Sequence, residues 1–491
     1  MTTDFSPERR QKVLESVPNR LFIAGQWRPS SSGRTIPVED PATGEVIAEI
    51  ADGTADDARA ALDAAVAAQP GWAATPPRQR GEILRRGFEL LMDRRDELAL
   101  LMTLEMGKPV AESAAEISYA AEFFRWFAEE AVRIEGRYAE NPAGHGRLIT
   151  MRQPVGPCLL ITPWNFPMAM GTRKIGPAVA AGCTMVMKPA QLTPLCSLAL
   201  ADLLSDAGLP PGVLNLVTTA HAGDTTGPLL SDGRLRKLSF TGSTEVGQRL
   251  AAQAADQLLR VSMELGGNAP FLVFGDADLD AAVDGAMTAK LRNGGEACTA
   301  ANRFHIHRSV AGEFTERLVA RFADLKVGPG ADPGSQLGPL IDGKQLAKVA
   351  ELVDDAVGRG AKCLIGGKAL ERPGYFFPPT VLTDVPPDAR LLKEEIFGPV
   401  APIVTFDTDD EAIAQANDTE FGLVAYLYTA GLDRALRVAE ALETGMVGLN
   451  QGLVSNAAAP FGGIKHSGYG REGGHEGINE YLEVKYLAVS L

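Results

Sequence analysis

The sequence lacks the cysteine pattern of a disulfide scaffold or a structural zinc site. It has five cysteines in 491 residues, and no two of them form a C-x-x-C pair. An odd and scattered set of this kind suits free thiols. We expect neither disulfides nor a metal site. Four cysteines lie among aliphatic neighbours and are expected to pack as small hydrophobic residues: Cys158, Cys183, Cys196 and Cys363.

The sequence also lacks an excess of positive charge and a long apolar run. Its formal net charge of -15 provides no basic face for nucleic acid or an anionic membrane. The apolar run from Ile175 to Met187 is too short to cross a bilayer, and the polar N-terminus has no signal-peptide core. These features predict a cytoplasmic protein with no nucleic-acid or membrane partner. The first twenty residues are expected to form a loosely held tail.

The remaining composition is that of a folded protein of more than one domain. Apolar residues make up 45% and charged residues 22% of the chain, which is typical of a globular protein. Single hydrophobic cores stop growing at a few hundred residues, so a chain of 491 residues is expected to divide into two or three domains.

Short β-rich runs alternate with amphipathic helical segments, a pattern that predicts an α/β fold with a parallel sheet covered on both faces. A capping-box spacing at Thr54 to Asp57 predicts a helix that runs through Gln69. Buried strands are expected at 158–162, 185–188, 213–217 and 237–242, with helices at 175–181 and 195–207.

A second α/β series begins near Pro270. It starts with PFLVF, continues with a helix to about Lys290, and proceeds through RFHIH, APIVTF, VAYLYT and GMVGLN. This series predicts a second domain. The segments 132–153 and 477–491 are β-prone but belong to neither series, and intersubunit strands would explain them.

Three segments have the chemistry of a nucleotide site. Gly242 and Ser243 lie where a strand turns into a helix, so backbone N–H groups there can face a phosphate. Lys188 ends a strand before a proline, beside the sheet edge where ligands bind. Glu395 can accept hydrogen bonds from a ribose, and Phe397 can lie against a flat ring. Each segment alone is explained equally well as an ordinary turn or surface residue.

Three further segments match the needs of a covalent reaction at a carbonyl. Cys298 follows a glycine pair in NGGEAC, where the backbone can approach a substrate closely. Glu264 precedes another glycine pair, and Asn165 lies between two prolines in PWNFP. A thiolate can attack an aldehyde, an amide N–H can hold the alkoxide, and a carboxylate can take protons.

Seven segments together resemble, in order, the motif series of the aldehyde dehydrogenase superfamily over nearly the whole chain: PWNFP, KPAQ, FTGSTEVG, MELGGN, NGGEACTAANR, EEIFGPV and PFGGIKHSGYGRE. The resemblance implies two Rossmann-like α/β domains and a small β oligomerisation element. It places the NAD(P)-binding domain at 1–131 and 154–264, the catalytic domain at 265–465, and the bridging element at 132–153 and 466–491. A homodimer or homotetramer is expected.

The resemblance also implies roles for individual residues. Cys298 matches the nucleophile and Glu264 the general base, while Asn165 and the Cys298 N–H match the oxyanion hole. Lys174 and Glu472 match positions of a proton relay, although an ion pair explains either equally well. Nine residues match positions around the cofactor: Thr162, Pro163, Trp164, Lys188, Gln191, Gly242, Ser243, Glu395 and Phe397.

Gln191 bears on the choice between NAD and NADP. Relatives with a strong preference for NAD commonly carry a glutamate there, which would repel the 2′-phosphate of NADP. A neutral glutamine beside Lys188 removes that repulsion. We expect NADP to be accepted, alone or together with NAD.

Within the superfamily, the chain most resembles the enzymes that oxidise succinate semialdehyde. Arg173, Arg292 and Ser455 match positions that hold the substrate carboxylate in that subgroup. Either arginine could instead be a structural ion pair. The semialdehydes of glutarate and 2-oxoglutarate also end in a carboxylate, and a broad specificity is a further alternative. An acylating enzyme that uses coenzyme A is disfavoured by Glu264, and an inactive structural paralogue by the intact set of Cys298, Glu264 and Asn165.

Overall fold

A computed structural model describes residues 5–490. Its α-helices are α1 (Pro7–Glu15), α2 (Ala55–Ala74), α3 (Pro77–Asp93), α4 (Arg95–Met106), α5 (Val110–Glu130), α6 (Ala169–Ala181), α7 (Leu195–Asp206), α8 (Ala222–Leu230), α9 (Thr244–Ala255), α10 (Leu279–Leu291), α11 (Arg308–Ala323), α12 (Gly343–Gly358), α13 (Asp409–Asn417) and α14 (Leu432–Ala441). Short 3-10 helices lie at Ala131–Arg133, Arg292–Gly295, Arg390–Leu392 and Gly477–Tyr481.

The strands form two large sheets and three small ones. They are β1 (Leu21–Ile23), β2 (Gln26–Arg28), β3 (Thr35–Asp40), β4 (Glu45–Ala51), β5 (Arg137–Glu140), β6 (Arg147–Pro154), β7 (Cys158–Ile161), β8 (Met185–Lys188), β9 (Leu214–Leu216), β10 (Lys237–Thr241), β11 (Arg260–Glu264), β12 (Ala269–Val273), β13 (Ala301–His307), β14 (Lys362–Ile365), β15 (Thr380–Thr383), β16 (Val400–Phe406), β17 (Phe421–Gly422), β18 (Val424–Tyr428), β19 (Met446–Leu449), β20 (Ile464–Lys465), β21 (Gly468–Tyr469) and β22 (Leu482–Val489).

The first predicted series forms an eight-stranded sheet in the order β2-β1-β9-β8-β7-β10-β11-β21. The four predicted strands are confirmed as β7, β8, β9 and β10, each within one residue at either end. Strands β7 to β11 are mutually parallel where they pair. The chain runs outward in one direction from β7 to β9 and in the other from β10 to β11. This reversal creates a crevice at the carboxyl ends of β7 and β10, the usual ligand position in such a sheet.

Helices cover both faces of this sheet, as the buried apolar strands predicted. Leu160 of β7 packs in a cluster with α3 to α7, whereas Leu159 and Ile161 pack in a second cluster with α2 and the helices that follow β9 and β10. Side chains alternate along a strand, so a fully apolar strand serves both layers. The predicted α6 begins earlier than expected, at Ala169 rather than Ile175.

The second predicted series forms a seven-stranded sheet in the order β14-β15-β16-β13-β12-β18-β19. Its strands are parallel except for β14, which pairs antiparallel at one edge. Phe271 of β12 packs with α10 and α11 on one face, and Leu272 packs with α13 and α14 on the other. The two-α/β-sheet architecture expected from the sequence is therefore confirmed.

A three-stranded antiparallel sheet joins the two β-prone segments outside both series. Its order is β22-β6-β5, and β22 pairs with β6 from Leu482 opposite Pro154 to Val489 opposite Arg147. The segment 466–491 is not wholly part of this element, because β21 pairs with β11 and completes the eight-stranded sheet instead. The domain boundaries themselves stay a prediction.

The expectation of a loosely held N-terminus is wrong for α1. The Ser6 hydroxyl accepts the Arg9 N–H, and Val13 is buried in the core. The capping box at Thr54 is confirmed, because its side chain binds the Asp57 N–H while Asp57 binds the Thr54 N–H. Helix α2 then runs to Ala74 rather than Gln69, since Pro70 removes one helical hydrogen bond without ending the helix.

Cysteine burial follows the prediction at three of four positions. Cys158, Cys183 and Cys196 are buried, but Cys363 is exposed. The prediction fails at Cys363 because β14 is the edge strand of its sheet, so aliphatic neighbours there do not imply burial. Within residues 5–490, no helix has both the length and the apolar character needed to cross a membrane.

Candidate active site

The crevice at the reversal point of the first sheet holds a cavity of about 210 Å³. The structure brings eight of the predicted site residues to its wall: Pro163, Trp164, Asn165, Gly242, Ser243, Cys298, Glu395 and Phe397. Sequence reasoning missed six others: Met170, Thr241, Leu265, Gly266, Gln345 and Lys348. The cavity lies between the two large sheets, because Cys298 precedes β13 while Asn165 follows β7.

The loop that carries Cys298 depends on three consecutive left-handed residues. Asn293, Gly294 and Gly295 have φ angles of 56°, 64° and 79°. Glycine adopts such angles without strain, and asparagine tolerates them better than most residues. The Asn293 side chain donates to the carbonyl oxygens of Asn165 and Glu296, each at 2.9 Å. The NGG sequence thus explains how a half-buried Cys298 is presented to the cavity.

Asn165 is held by contacts that no local sequence pattern indicates. Its carbonyl accepts hydrogen bonds from Asn293 Nδ2 at 2.9 Å and from Lys108 Nζ at 2.9 Å. Lys108 in turn pairs with Glu116 at 2.6 Å, and both side chains are buried. The Glu116 carboxylate also accepts the N–H groups of residues 168 and 169 at the start of α6. Lys108 and Glu116 therefore position Asn165, although both lie far from it in the chain.

The Asn165 amide itself is buried beside the loop 293–298, which carries the predicted nucleophile Cys298 and is called the nucleophile loop below. Its Nδ2 donates to the Glu296 carbonyl at 3.0 Å, and its Oδ1 has no partner. The amide nitrogen carries two N–H groups, so one can stay on the Glu296 carbonyl while the other stabilises an oxyanion.

Burial favours the protonated form of the Cys298 thiol. It raises the pKa of the thiol to about 12, while the positive charges of Arg173 and Arg292 act in the opposite direction. The carboxylates of Glu395 and Glu264 raise the pKa further. A group that accepts the thiol proton is therefore needed before the sulfur can attack.

Glu264 is the last residue of β11 and lies buried with both carboxylate oxygens unpartnered. Burial raises the pKa of Glu264 well above its usual value, and the nearby charge of Glu472 adds to that effect. The cations Arg173, Lys174 and Arg471 oppose it. A carboxyl group with a raised pKa is a stronger base once it is deprotonated, as a general base requires.

Lys174 and Glu472 form a buried ion pair. An ion pair was one of the two explanations that the sequence left open for these residues, the other being a proton relay. Lys174 Nζ lies 2.5 Å from Glu472 Oε1 and donates to the Ser239 hydroxyl at 2.9 Å. Burial lowers the pKa of Lys174, and the two neighbouring cations lower the pKa of Glu472 despite its burial. A role of this pair in proton transfer stays a prediction.

Arg173 is the second cation of this cluster. Its Nε lies 2.5 Å from Glu472 Oε2, and its guanidinium stacks over the Phe461 ring at 4.2 Å from the ring centroid. One terminal nitrogen, Nη1, has no partner. The resemblance grouped Arg173 with Arg292 and Ser455. Arg173 is buried in an ion pair and does not line the cavity that those two residues share, and its role at the substrate carboxylate stays a prediction.

That second cavity has a volume of about 270 Å³ and lies beside the nucleophile loop. Its wall consists of Lys108, Glu112, Ala115, Glu116, Tyr119, Phe166, Arg292, Leu453 and Ser455. Arg292 Nη1 donates to the Ser455 hydroxyl at 3.4 Å, and its guanidinium lies 4.7 Å from the Phe166 ring centroid. Among residues 5–490, no carboxylate forms an ion pair with Arg292. Its charge is thus available to an anion.

Glu112, on the same wall, was not identified from the sequence. Its Oε2 accepts the Asn293 N–H at 2.6 Å. Burial raises the pKa of Glu112. A neutral carboxyl group there would repel an anionic ligand less than a carboxylate would.

The first cavity offers the donors and acceptors that a dinucleotide needs. Ser243 precedes α9 without a side-chain cap, so the N–H groups of the first turn are free for a phosphate. The hydroxyls of Thr162 and Thr241 are buried without partners. The rings of Trp164 and Phe397 meet edge to face with their centroids 5.4 Å apart, and both residues line the cavity.

Glu395 and Lys188 differ in their relation to this cavity. Glu395 Oε1 accepts the Gly267 N–H at 3.2 Å, and burial raises the pKa of Glu395 to about 7. A Cβ at Gly266 would lie 3.1 Å from Glu395 Oε2, and a Cβ at Gly267 would overlap the Cys298 carbonyl oxygen, so the second glycine is the one that close approach requires. Lys188 ends β8 just outside the cavity wall, and burial lowers its pKa to about 8. Gln191 is exposed beyond it.

The sequence matches the aldehyde dehydrogenase family over residues 27–487. It is 58% identical to a succinate-semialdehyde dehydrogenase from Paenarthrobacter nicotinovorans over 91% of this chain and 99% of the relative. It is 53% identical to a glutarate-semialdehyde dehydrogenase from Pseudomonas putida over 98% of this chain and 99% of the relative. The crystal structure of an NADP-dependent enzyme from E. coli superimposes with a TM-score of 0.96 at 52% identity, covering 97% of this chain and 98% of that one.

Proposed function

The chain belongs to the aldehyde dehydrogenase family, and from that premise we propose that it oxidises succinate semialdehyde to succinate with NAD(P)⁺. The observation that supports this substrate is the Arg292 guanidinium, which forms no ion pair among residues 5–490. It lies beside the Ser455 hydroxyl, in a cavity next to the nucleophile loop. Two relatives that act on semialdehydes ending in a carboxylate support the same substrate class. The intact set of Cys298, Glu264 and Asn165 argues against an inactive paralogue.

In the proposed mechanism, Cys298 acts first. Its sulfur attacks the aldehyde carbon as Glu264 accepts the thiol proton, and a carbon–sulfur bond forms. The Asn165 side-chain N–H and the Cys298 backbone N–H hold the resulting oxyanion. When bound, NAD(P)⁺ supplies the two-electron oxidant that converts the thiohemiacetal to a thioester.

Glu264 acts again in the second half of the reaction. After it has released the thiol proton towards Lys174 and Glu472, it takes a proton from water, the water oxygen attacks the thioester carbon, and the carbon–sulfur bond breaks to release the acid and the Cys298 thiolate. The charges of Lys174 and Glu472 act on the Glu264 carboxyl, and this pair would receive the protons that Glu264 releases. Hydrolysis needs such a base, so Glu264 favours this reaction over transfer to coenzyme A.

The cofactor residues are assigned from their chemistry. The N-terminus of α9 at Gly242 and Ser243 would take the pyrophosphate, and Glu395 would accept hydrogen bonds from a ribose diol. Trp164 and Phe397 would flank the nicotinamide, near Thr162 and Pro163. Lys188 and Gln191 would lie at the adenosine ribose.

Replacing Gln191 by glutamate is expected to shift preference from NADP towards NAD. The new carboxylate would repel the 2′-phosphate and would accept the ribose hydroxyls of NAD, a change of about tenfold or more in the ratio of kcat/KM values. Gln191 is exposed, so the fold should not change. The measurement is kcat/KM for both cofactors at saturating aldehyde.

Gln191→Met is the matched control, because it has a similar length and no charge. Its preference should stay close to that of the natural enzyme. A natural enzyme that cannot use NADP at all would contradict the argument.

Arg292→Ala is expected to remove the preference for carboxylate-bearing aldehydes. The natural enzyme should prefer succinate semialdehyde over butanal by orders of magnitude in kcat/KM, and the variant should lose roughly 2 to 4 kcal/mol of that preference, about 30- to 1000-fold. Butanal has no carboxylate, so its kcat/KM should change little. A panel that includes glutarate and 2-oxoglutarate semialdehydes distinguishes chain lengths.

Arg292→Lys keeps the charge but loses the planar fork, so an intermediate loss is expected. Arg173→Ala also bears on binding of the substrate carboxylate, because Nη1 of Arg173 is unpartnered. This variant breaks the pair with Glu472, however, and therefore cannot separate binding from structure. Equal kcat/KM values for butanal and succinate semialdehyde would contradict succinate semialdehyde as the preferred substrate and would leave the family assignment intact.

A homodimer or homotetramer and a cytoplasmic location complete the proposal. The three-stranded sheet exposes apolar side chains, among them Tyr138, Val484 and Tyr486, and β22 lies at its edge. Exposed apolar side chains beside a free strand edge are typical of a subunit interface.

A further inference from the structure

One face of two inner strands of the eight-stranded sheet is polar and buried. Strands β10 and β11 pair in parallel and place three pairs of polar residues opposite one another: Lys237 and Arg260, Ser239 and Ser262, and Thr241 and Glu264. Alternate residues of a strand share a face, so these side chains form one polar face. All of them except Arg260 are buried. Inner strands of a parallel sheet are usually apolar on both faces, so a buried polar face needs partners of its own.

The polar face begins at Glu264, where the proposed mechanism leaves a proton to be removed. After oxidation Glu264 holds the proton of the Cys298 thiol, and it must release that proton before it can take another from water. Lys174 and Glu472 would receive it, but both are buried, at 0% and 5% exposure. The proton has therefore not reached solvent at this pair.

The inner half of the polar face continues from Lys174. Its Nζ donates to the Ser239 hydroxyl at 2.9 Å. The Tyr481 hydroxyl is the next group: burial raises its pKa, and a hydrogen bond with Ser239 opposes that effect. The hydroxyls of Ser239 and Tyr481 can each accept one proton and donate another, as a proton path requires.

The outer half of the polar face leads to the surface. Lys237 Nζ donates to the Ser262 hydroxyl, and Ser262 Oγ donates to Glu480 Oε2 at 3.0 Å. Both hydrogen bonds thus point outward. The Glu480 side chain is 21% exposed, so a proton on it can pass to solvent. Burial lowers the pKa of Lys237 to about 8, which allows its amine to gain and lose a proton near neutral pH.

The two halves lie side by side. Lys237 is two residues before Ser239 on the same face of β10, and Ser239 is opposite Ser262 on a strand about 4.8 Å away. The Lys237 ammonium lies over the Tyr481 ring, 4.9 Å from the ring centroid. A movement of the flexible Lys237 side chain towards the Tyr481 hydroxyl would complete the path.

We propose that the polar face of β10 and β11 conducts the proton of Glu264 from Lys174 and Glu472 to solvent at Glu480, by way of Ser239, Tyr481, Lys237 and Ser262. The inference rests on the proposed role of Glu264. Only O–H and N–H bonds form and break along the path: each group accepts a proton on its inner side and gives one up on its outer side. None of these residues touches the substrate, so their effect is confined to regeneration of the base.

The test compares two rates in the full-length variants Lys237→Met and Ser239→Ala. NAD(P)H formation is measured in a single turnover, with enzyme in excess of aldehyde, and in the steady state. Attack and oxidation precede release of the proton, so the single-turnover rate should match that of the natural enzyme. We expect kcat to fall by about tenfold, less than for loss of the base itself, because slower routes for the proton remain. The solvent deuterium isotope effect on kcat should become larger than in the natural enzyme.

Ser113→Ala is the matched control. Ser113 is a buried serine of α5 whose hydroxyl forms a hydrogen bond with Thr103 at 2.8 Å, so the variant loses a similar buried contact away from the polar face. Both of its rates should stay unchanged. Thermal unfolding checks that each variant folds, and if Lys237→Met does not, Ser239→Ala decides.

Unchanged kcat in the folded path variants would overturn the proposal. An equal fall of kcat and the single-turnover rate would also overturn it, because the polar face would then support the active site only as structure. An isotope effect no larger than that of the natural enzyme would overturn it as well. All three comparisons use the same aldehyde in every protein and do not depend on its identity. Unchanged turnover of Glu264→Gln would instead contradict the proposed function itself.

Discussion

Cys298→Ala is expected to abolish turnover while leaving the fold and the cofactor site intact. Only the sulfur can form the covalent intermediate, so kcat/KM should fall by roughly 10⁴-fold or more. The loop itself is shaped by the left-handed residues Asn293 to Gly295 and by the Tyr426 hydroxyl, which donates to the Thr299 carbonyl at 2.8 Å. None of these contacts involves the sulfur.

Turnover is measured as NAD(P)H formation, and cofactor affinity by titration of protein fluorescence in the absence of aldehyde. Cys363→Ala is the matched control, because Cys363 is the exposed cysteine on an edge strand and should be dispensable. Residual activity of Cys298→Ala within roughly tenfold of the natural enzyme would mean that another group is the nucleophile.

The parts of the site that could be predicted are those with a local cause. The strands β7, β8 and β10 are short apolar runs closed by proline or glycine, and the residues after them must gather at one sheet edge. The glycines beside Cys298 and Glu264 are required by backbone angles or close approach, so they mark the loops directly. Local sequence therefore indicated the loops that carry Cys298 and Glu264 and the cavity between the sheets, while their catalytic roles stay predictions.

The parts that could not be predicted depend on contacts between distant segments. Lys108 binds the carbonyl of a residue 57 positions away. Its partner Glu116 lies on α5 and binds an N–H group at the start of α6, a contact that exists only because α5 packs across that end of α6. Neither residue belongs to a spacing pattern. The same holds for Glu112, which supports Asn293 across 181 positions.

Arg173 illustrates the opposite case, in which a residue is recognised but its partner is not. Its position matches the carboxylate-binding arginine of the subgroup, yet the nearest anion is Glu472, about 300 positions later in the chain. Burying a guanidinium without a counter-charge is costly, so the fold supplies one. Sequence alone shows the cation and cannot show which carboxylate neutralises it.

Glu264→Gln is expected to collapse steady-state turnover, because the amide cannot accept a proton from water. A positioned general base contributes about 10²- to 10⁴-fold, and kcat should fall by that amount. The fold should tolerate the change, since both carboxylate oxygens of Glu264 lack partners and no hydrogen bond is lost. Attack and oxidation precede the hydrolysis step, so a pre-steady-state burst of NAD(P)H is expected to survive, at a reduced rate.

The pH dependence gives a second, independent readout of Glu264. Because burial and Glu472 raise its pKa, the carboxyl is protonated at low pH and becomes a base only as pH rises through that pKa, so kcat of the natural enzyme should increase with pH over this interval. Glu264→Gln should lack that increase.

Glu105→Gln is the matched control: Glu105 is also a buried carboxyl with a pKa raised to about 7, but it caps α7 at the N–H groups of Leu195 and Cys196. The control should retain both the burst and the rise with pH. A burst of Glu264→Gln at the rate of the natural enzyme would mean that another group deprotonates the Cys298 thiol, whereas unchanged turnover would remove Glu264 from the mechanism.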